Sequence, residues 1–431
     1  MDADVTDSAG STPAGPADTD NGVSDDNDAE ATASDLNRRR NWLRWTALGT
    51  SVVVLAVAGA GWWFYKKLDG NITTDTTAAA ELRTYEKERP TPIVLDAKNI
   101  LLIGSDSRSG EGNDKYGRDD SGSQRSDTTI LLHLAADRQS ATAVSIPRDL
   151  MVDIPSCRKP DGTRTTDQFA QFNWAFQFGG TACTIRTIEK LTGIRVDHHM
   201  VVDFSGFKGI VDAVDGVEVC LKEPVDDIQA QLKLPAGTQT LDGEQALGFV
   251  RARHGIGDGS DTQRMERQQR FLGALFKKVR SNGVLLNPTR LYPVLDAATK
   301  SITTDPGLAS LTGLYDLARS MQSVPVEKVQ FMTVPRQPYS ADRNRDELVQ
   351  PDAENLFERL REDGPVSVKT PGGADAGPTG GPSTTADAGP TARSAPTAGS
   401  TPTAGPTATA GSTPNPGPTF EGSNAAAGLC E

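Results

Sequence analysis

The sequence predicts an α/β fold: an α/β/α layered domain around a central, mostly buried β-sheet, preceded by one transmembrane helix and flanked by disordered termini. Apolar runs typical of buried strands alternate with stretches of helical spacing along the middle of the chain. One long uncharged run precedes them. Both ends of the chain lack the large apolar side chains that a core requires.

The composition limits the class of function before any motif is considered. The 431 residues carry a formal net charge of -13, with 36% hydrophobic and 23% charged residues. A protein that binds nucleic acid normally presents a basic surface, so this acidic balance predicts no nucleic-acid partner. The 4 cysteines include no C-x-x-C pair, and a zinc site therefore has little support.

The N-terminal part of the chain predicts a membrane anchor. Residues 1–37 are mainly Asp, Ala, Ser, Thr and Gly, which predicts a disordered acidic segment. Three arginines follow at 38–40, and residues 45–65 carry no charge over roughly 30 Å of helix, the thickness of a bilayer core. A buried core helix is rarely apolar on every face, and a signal peptide usually has a shorter apolar part. The arginines place the N-terminus in the cytoplasm and the rest of the chain outside the cell.

The remainder divides into three segments. Residues 68–96 are interpreted as a polar stalk, 97–362 as the folded domain, and 365–431 as a disordered tail rich in Pro, Thr, Ala and Gly. Within the domain, amphipathic stripes such as Ile185, Ile188 and Leu191 predict helices that pack on the sheet. The predicted strands are 99–104, 128–134, 141–146, 200–203, 217–221 and 329–334.

Three of the cysteines fall in the predicted domain, and the fourth, Cys430, is near the end of the tail. Outside the membrane disulfides are permitted, and four cysteines allow three connectivities. We predict a bond between Cys157 and Cys183, which bracket one polar excursion. Buried free thiols are the alternative.

Charged residues gather at the ends of the predicted strands, where α/β sheets carry their chemistry. Arginine pairs bidentately with phosphate oxygens. Arg251 and Arg253 are two apart and would share one face of an extended segment. Carboxylates among such arginines suit a metal, since Mg²⁺ takes a few carboxylates plus phosphate oxygens, and Asp106 with Asp127 is the natural pair. A surface network of weak salt bridges is the competing interpretation.

Ordered motifs across residues 97 to 282 resemble the LytR-CpsA-Psr family, in particular members from high-GC Gram-positive bacteria. The motifs are NILLIGSDSR (99–108), RSDT (125–128), SIPRD (145–149), FNWAF (172–176), VDF (202–204), LDGEQAL (241–247), VRAR (250–253), and Arg264 with RQQ (267–269). One position departs from the family pattern, because many members carry Lys where this chain has Gln171. A neutral amide helps a phosphate less than an ammonium does.

The resemblance implies an exported catalytic domain, 97–362, with a groove for a polyprenyl chain. Its activity would be Mg²⁺-dependent (or Mn²⁺-dependent) transfer of a phospho-glycopolymer from a polyprenyl-pyrophosphate carrier to a peptidoglycan hydroxyl, giving a phosphodiester and polyprenyl phosphate. The glycopolymer would be a teichoic acid, a polysaccharide or an arabinogalactan. The partners implied are the carrier-linked glycopolymer, the peptidoglycan acceptor and membrane lipid.

The resemblance also assigns roles to residues. Asp106 and Asp127 would hold the metal. The candidate catalytic residues are Asp106, Asp127, Arg148 and Asp149, and those expected to bind the pyrophosphate or steady its ligands are Arg125, Arg148, Arg251, Arg253, Arg264 and Gln268.

The proton acceptor is left between Asp149 and Asp106, with Asp149 alternatively orienting Arg148. His254 is a less favoured base, while His133, His198 and His199 are interpreted as structural. The polar segment 109–123 is either a lid or an insertion.

Three other functions compete with transfer. A non-catalytic protein that binds lipid pyrophosphate would show the same arginines but would leave the carboxylate pair without a purpose. A membrane-bound transcriptional regulator would need a recognition surface, and residues 1–37 carry no helix-turn-helix pattern. A hydrolase would use water as the acceptor at the same site.

Overall fold

The computed structural model describes residues 27–105, 126–257, 259–281, 288–369 and 419–426, with the backbone alone at 27–37, 39–40, 281 and 288–290. The strands are β1 (Thr73–Thr74), β2 (Lys98–Ser105), β3 (Ser126–Leu134), β4 (Ala141–Ile146), β5 (Met151–Ile154), β6 (Gln168–Gln171), β7 (His198–Val202), β8 (Val217–Leu221), β9 (Val225–Asp227), β10 (Leu232–Leu234), β11 (Gly237–Leu241), β12 (Ile302–Thr304), β13 (Val329–Thr333), β14 (Arg336–Tyr339), β15 (Asp342–Leu348), β16 (Ser367–Lys369) and β17 (Thr419–Asn424). The helices are α1 (Asn27–Asp69), α2 (Thr76–Thr84), α3 (Asn173–Thr192), α4 (Phe204–Ala213), α5 (Gly243–Arg251), α6 (Asp261–Ser281), α7 (Pro288–Ser301), α8 (Leu311–Ser323) and α9 (Asp352–Arg361).

The chain divides into two compact units, residues 1–64 and 65–431. Most of α1 belongs to the first. Among the described residues, one helical stretch is long and apolar enough to span a membrane: Asn41–Asp69, 29 residues that contain an 18-residue window with a mean hydropathy of 1.7. The backbone is already helical at Asn27, so the prediction of disorder up to residue 37 is corrected for 27–37. Extending an existing helix adds a hydrogen bond for each residue ordered and avoids the cost of nucleation.

The second unit is built on a nine-stranded mixed sheet with the order β1-β12-β7-β2-β3-β4-β13-β17-β16. β2, β3 and β4 are antiparallel neighbours, whereas β7 pairs with β2 and β13 pairs with β4 in parallel. The six strands predicted from the sequence are all present, with bounds that shift by one or two residues. The central sheet and its layered α/β arrangement are therefore as predicted.

Both faces of the central strands are buried, which is why these runs are apolar without alternation. In β2, Leu101 and Ile103 join the core on the face covered by α2, α3 and α9, while Leu102 packs on the opposite face. The opposite core contains Ile130 of β3 and receives Leu272 from α6. A further core lies under α4, α5 and α6 with the strands β8 to β11.

Residues 68–96 form part of the folded unit, which corrects the prediction of a stalk. Leu68 is buried, and Ala78 and Leu82 of α2 belong to the main core. Arg89 donates to the Glu189 carboxylate at 2.7 Å and to the Val196 carbonyl at 2.7 Å. Several charged side chains of this polar segment have partners within the fold. These partners lie on α3 and on the residues between α3 and β7.

The predicted disordered tail, 365–431, is corrected at its two described parts. β16 and β17 extend the sheet beyond β13. The only aromatic residue of the tail, Phe420, is 7% exposed and packs into the main core. Val366 joins the same core and Ala425 packs in the core on the opposite face of the sheet, so the described parts of the tail bury apolar area. Residues 370–418 lie outside the described residues.

A disulfide joins Cys157 to Cys183, with the Cα atoms 5.5 Å apart. It links the segment between β5 and β6 to α3. Cys220 is disulfide-bonded as well, and Cys430 lies outside the described residues.

We expect Gly179→Ala to destabilise the fold by about 1–3 kcal/mol. The helix α3 is kinked at Gly179 and Gly180. A Cβ at Gly179 would lie 2.9 Å from the Cys183 Cβ and 3.0 Å from the Cys157 Cβ. Thermal unfolding checks this, with Gly209→Ala in α4 as control, since a Cβ there would meet Ala297 at an ordinary 3.7 Å. Equal melting temperatures for the two variants would contradict the steric argument.

Candidate functional site

A cavity of about 450 Å³ opens between the sheet and the helices α4, α5 and α6. Much of its lining is apolar, as expected where two cores meet at the end of a sheet. The apolar lining includes Leu102, Ile130, Phe207, Ile210, Leu247, Phe271, Leu272 and Leu275. Such a cavity accepts a hydrocarbon group.

Arg148 lies in the cavity wall two residues after β4. Its Nη1 donates to Asp127 Oδ1 at 3.0 Å, and its Nε donates to Asp149 Oδ2 at 3.2 Å. Burial lowers the pKa of Arg148, but the charges of Asp127, Asp149 and Asp261 outweigh it, so that the pKa is raised. The structure therefore keeps a permanent cation at this point of the wall.

A second cationic group is organised by the first turn of α6. Asp261 accepts from Arg253 Nη2 at 2.7 Å and from Arg264 Nη2 at 3.1 Å. The Arg264 side chain is only 8% exposed. Burial lowers the pKa of Arg264 to about 10; Asp261 opposes this effect, while the charges of Arg253 and Arg148 add to it. Arg264 remains a cation at neutral pH.

The Nε of Arg264 is buried and has no hydrogen-bond partner among the described residues. An unused N–H on a buried cation is costly, because the group has lost its water without a replacement. The Arg264 side chain also lines the cavity, so an anion bound there would meet its positive charge. This buried cation beside the cavity is the strongest indication of an anionic ligand in the structure.

The loop between α5 and α6 carries Arg253 and His254, and a buried carboxylate holds it. Asp227 Oδ2 accepts from the backbone N–H groups of Arg253 at 2.8 Å and His254 at 2.9 Å. Burial raises the pKa of Asp227, but these hydrogen bonds, with those from Ala230 and Gln229, lower it overall. An ionised Asp227 thus fixes the backbone from which Arg253 reaches the cavity.

Arg251 and Gln268 also line the cavity. The Arg251 guanidinium lies 4.7 Å from the centroid of the Phe204 ring, and Gln268 Nε2 donates to the Val250 carbonyl at 3.1 Å. The prediction that Arg251 and Arg253 share one face of an extended segment is wrong. Arg251 ends α5, which starts earlier with a capping box at Asp242 and Gln245.

Two further residues of α6 hold this helix against the neighbouring elements of the site. Arg267 donates to the carbonyls of Phe249 and Ala252, which holds the end of α5 against α6. Gln269 Nε2 donates to Ser145 Oγ at 2.9 Å and Thr333 Oγ1 at 3.0 Å, which joins α6 to the ends of β4 and β13.

Asp149 is outside the cavity lining. Its Oδ1 lies 3.4 Å from both Gln171 Nε2 and Arg345 Nη1, while Oδ2 accepts from Arg148. Of its two predicted roles, this geometry favours orienting Arg148. Asn173 is next to it, because its backbone N–H donates to the Arg148 carbonyl at 3.0 Å.

The structure brings together six of the predicted site residues on one cavity: Asp127, Arg148, Arg251, Arg253, Arg264 and Gln268. Asp106, Arg125 and the segment 109–123 lie outside the described residues. His254 lines the same cavity, whereas His133, His198 and His199 each pair with a carboxylate elsewhere in the fold.

The roles of Asp227, Asp261 and Phe204 were not predicted from the sequence. Asp261 is close to Arg264 in the chain, and its helix-start position could have indicated a role. No local signal marks Asp227, which acts on residues 26 and 27 positions later.

The described residues offer few carboxylates that could hold a metal ion. They contain no group of three or more His, Cys, Asp or Glu side chains that could hold a metal ion. Two carboxylates of the cavity lining are engaged by backbone, since Asp227 accepts four N–H groups and Asp203 caps α4. The Asp127 side chain is 41% exposed, and one of its carboxylate oxygens accepts a hydrogen bond from Arg148. One or two carboxylates together with ligand phosphate oxygens suffice for Mg²⁺, so Asp127 fits that use.

Comparisons with known proteins agree with this architecture. The profile of the LytR_cpsA_psr family matches residues 68–362. The chain is 33% identical over 309 residues to the cell wall biosynthesis protein LcpA of Corynebacterium glutamicum, covering 66% of this chain and 58% of LcpA. It is 27% identical over 295 residues to the polyisoprenyl-teichoic acid–peptidoglycan teichoic acid transferase TagT of Bacillus subtilis, covering 66% of this chain and 84% of TagT.

The fold resembles that of a solved LytR-Csp2A-Psr enzyme from Actinomyces oris, with a TM-score of 0.50 at 22% identity, over 63% of this chain and 93% of that one. The chain spans 58% of LcpA and 48% of LcpB, a probable cell wall biosynthesis protein of the same organism. The family profile covers well over half of the chain and includes the whole described cavity. The chain therefore belongs to the LytR_cpsA_psr family.

Proposed function

We propose that this protein transfers a phospho-glycopolymer from a polyprenyl-pyrophosphate carrier to a hydroxyl of peptidoglycan. One observation carries the proposal: an apolar cavity of about 450 Å³ has four arginines in its wall, one of them buried. An apolar cavity accepts a lipid chain, and clustered guanidinium groups accept a pyrophosphate. The names of LcpA and TagT support a role in the cell wall.

The transfer step balances as follows. The acceptor hydroxyl oxygen forms a bond to the phosphorus that carries the glycopolymer, and the bond from that phosphorus to the bridging oxygen breaks. Polyprenyl phosphate leaves with the electron pair, the hydroxyl proton passes to a carboxylate, and the product is a phosphodiester. Charge spreads over the phosphoryl oxygens, so the arginines at the cavity would stabilise the transition state more than the bound substrate.

Asp149 lies outside the cavity lining and accepts hydrogen bonds from Arg148, Gln171 and Arg345, which suits a positioning role. Asp127 is proposed to hold Mg²⁺, or Mn²⁺, together with Asp106 and phosphate oxygens. When bound, the ion would neutralise charge on those oxygens.

The apolar part of α1 is proposed to anchor the protein in the cell membrane, with the N-terminus in the cytoplasm and the catalytic domain outside. Lipid-linked substrate would then reach the domain from the membrane surface. The arginines at 38–40 support this orientation.

The test uses the full chain in lipid nanodiscs with a synthetic polyprenyl-pyrophosphate glycan and peptidoglycan oligomers. The mass of the acceptor and the release of polyprenyl phosphate are followed with and without Mg²⁺. An acceptor heavier by one phospho-glycan supports transfer. Tight binding of the lipid without turnover would instead indicate a binding protein, and release of polyprenyl phosphate without acceptor modification would indicate a hydrolase.

In the same assay, we expect Asp127→Asn to raise the Mg²⁺ concentration for half-maximal activity by at least about tenfold, because the variant removes a charged metal ligand. Asp316→Asn on the exposed side of α8 is the matched control and should leave that concentration unchanged. An unchanged Mg²⁺ requirement in Asp127→Asn would exclude Asp127 as a ligand.

A further inference from the structure

Two β-hairpins contact the Asp149 side chain at Oδ1, whereas Arg148 contacts Oδ2 of the same carboxylate. The hairpin β5–β6 contributes Gln171, and β14–β15 contributes Arg345, both 3.4 Å from Asp149 Oδ1. The backbone N–H of Asp346 also donates to the Asp149 carbonyl at 3.1 Å. The two hairpins are therefore tied to the residue that orients a cavity arginine.

An aromatic pair bridges the same two hairpins. Phe169 of β6 and Tyr339 of β14 lie with their ring centroids 6.0 Å apart and their planes inclined at 59°. Phe169 is two positions before Gln171, so both side chains are on the face of β6 that is turned toward Asp149. We call Phe169 and Tyr339 the aromatic platform.

One ring of the platform is open to solvent. Phe169 is 53% exposed, whereas the next residue of β6, Ala170, is buried in the core, and Tyr339 is half-buried. The two hairpins also carry hydrogen-bonding side chains: Gln337 of β14 donates to Glu347 of β15 at 2.9 Å, and Gln171 and Arg345 lie at Asp149. An exposed aromatic ring beside polar side chains is typical of sites that bind a ligand with apolar faces and hydroxyl edges.

A sugar ring has that chemistry, because its C–H faces pack on aromatic rings while its hydroxyls reach the polar rim. We propose that the aromatic platform binds the acceptor glycan and directs its hydroxyl toward the side of the cavity marked by Arg148. This inference rests on the proposed transfer function and adds an acceptor subsite to it. The donor would be held by the cavity and the acceptor by the two hairpins, with Asp149 linking them.

The test measures the acceptor dependence of transfer by the full chain in nanodiscs, at saturating lipid-linked donor and increasing peptidoglycan oligomer. For Phe169→Ala and for Tyr339→Ala, we expect the KM for the acceptor to rise about tenfold, the effect of losing one aromatic contact. Phe169→Tyr retains a ring and should remain near wild type, whereas Phe169→Leu retains apolar volume only and should resemble Phe169→Ala. Tyr315→Ala, an exposed aromatic on α8, is the control.

Two further readouts separate this inference from the proposed function. Binding of the lipid-linked donor, measured by calorimetry without acceptor, should have the same Kd in wild type and in all variants, which shows that the donor site is intact. Calorimetric titration of peptidoglycan oligomers without donor should show binding to wild type and weaker binding to the variant with both alanines. Transfer by wild type with an unchanged acceptor KM in that double variant would overturn the platform. If wild type binds oligomers but transfers nothing, loss of binding in the double variant still supports the platform, while the transfer function fails.

Discussion

Arg264→Met should reduce transfer by about 10²–10³-fold while leaving the melting temperature unchanged or higher. The loss of activity follows because Arg264 is the buried cation of the cavity, with an Nε that has no partner among the described residues. Removing one positively charged or hydrogen-bonding group that stabilises developing charge costs this much in other enzymes. The measurement is kcat/KM for polyprenyl phosphate release at saturating acceptor.

The stability part of this prediction follows from the pKa. Burial lowers the pKa of Arg264 to about 10, below the ordinary value of an arginine. A base with a lower pKa in the folded chain than in the unfolded chain destabilises the fold wherever it is protonated. That cost is fully present below pH 10 and disappears only when the pH rises above the pKa of the unfolded chain. Removing the charge should therefore stabilise the fold at neutral pH, by up to about 3 kcal/mol.

The matched control is Arg270→Met, which removes an exposed arginine from the same helix and should change neither quantity. Arg264→Lys should recover part of the activity, because a Lys ammonium keeps the charge and loses the planar fork. A large loss of stability in Arg264→Met would show that the residue serves the fold and not a ligand.

Replacing both Cys157 and Cys183 by alanine should destabilise the second unit by about 3.5 kcal/mol. The two residues are 26 positions apart, and the bond restricts the loop between them in the unfolded chain. Both side chains are at most 2% exposed, so alanine avoids the cost of burying a new hydroxyl. Differential scanning calorimetry should show a melting temperature lower by about 5–10 °C.

The transfer activity of the same double variant provides a second test of the disulfide prediction. The variant should retain transfer activity at temperatures well below its melting point, because neither cysteine lines the cavity. A melting temperature within about 2 °C of wild type would contradict the loop-entropy argument. A loss of activity without a loss of stability would indicate that the segment joining β5 and β6 has a direct role in the reaction.

Some elements of the fold could be predicted because the residue pattern that specifies them lies within one short stretch of sequence. The strands β2, β3, β4 and β13 could be predicted, because strands buried on both faces need continuous apolar runs, and such runs are visible in the sequence. The segment 68–96 was misjudged for the opposite reason. Its charges look solvated in the sequence, and only the fold supplies Glu189 and the Val196 carbonyl as partners for Arg89.

The ordered parts of the tail also could not be predicted from the sequence. Its composition predicts a flexible segment, and one aromatic residue in a long Pro-, Thr- and Gly-rich stretch is a weak signal. Phe420 nevertheless enters the main core through the strand β17, which pairs with β13. Pairing between residues 90 to 94 positions apart depends on the open edge of the sheet, and a sequence does not display that edge.

By itself the sequence determined the layered α/β class, the long apolar helix, the family, and six residues that meet at the candidate site. Those features follow from residue types, short spacings and ordered motifs. Only the tertiary structure decided how the site is assembled. Asp227 holds the loop of Arg253, Asp261 couples Arg253 to Arg264, and Asp149 joins Arg148 to Gln171 and Arg345. Hydrogen-bond partners and burial depend on distances through space, and these arise only when the strands and helices have packed.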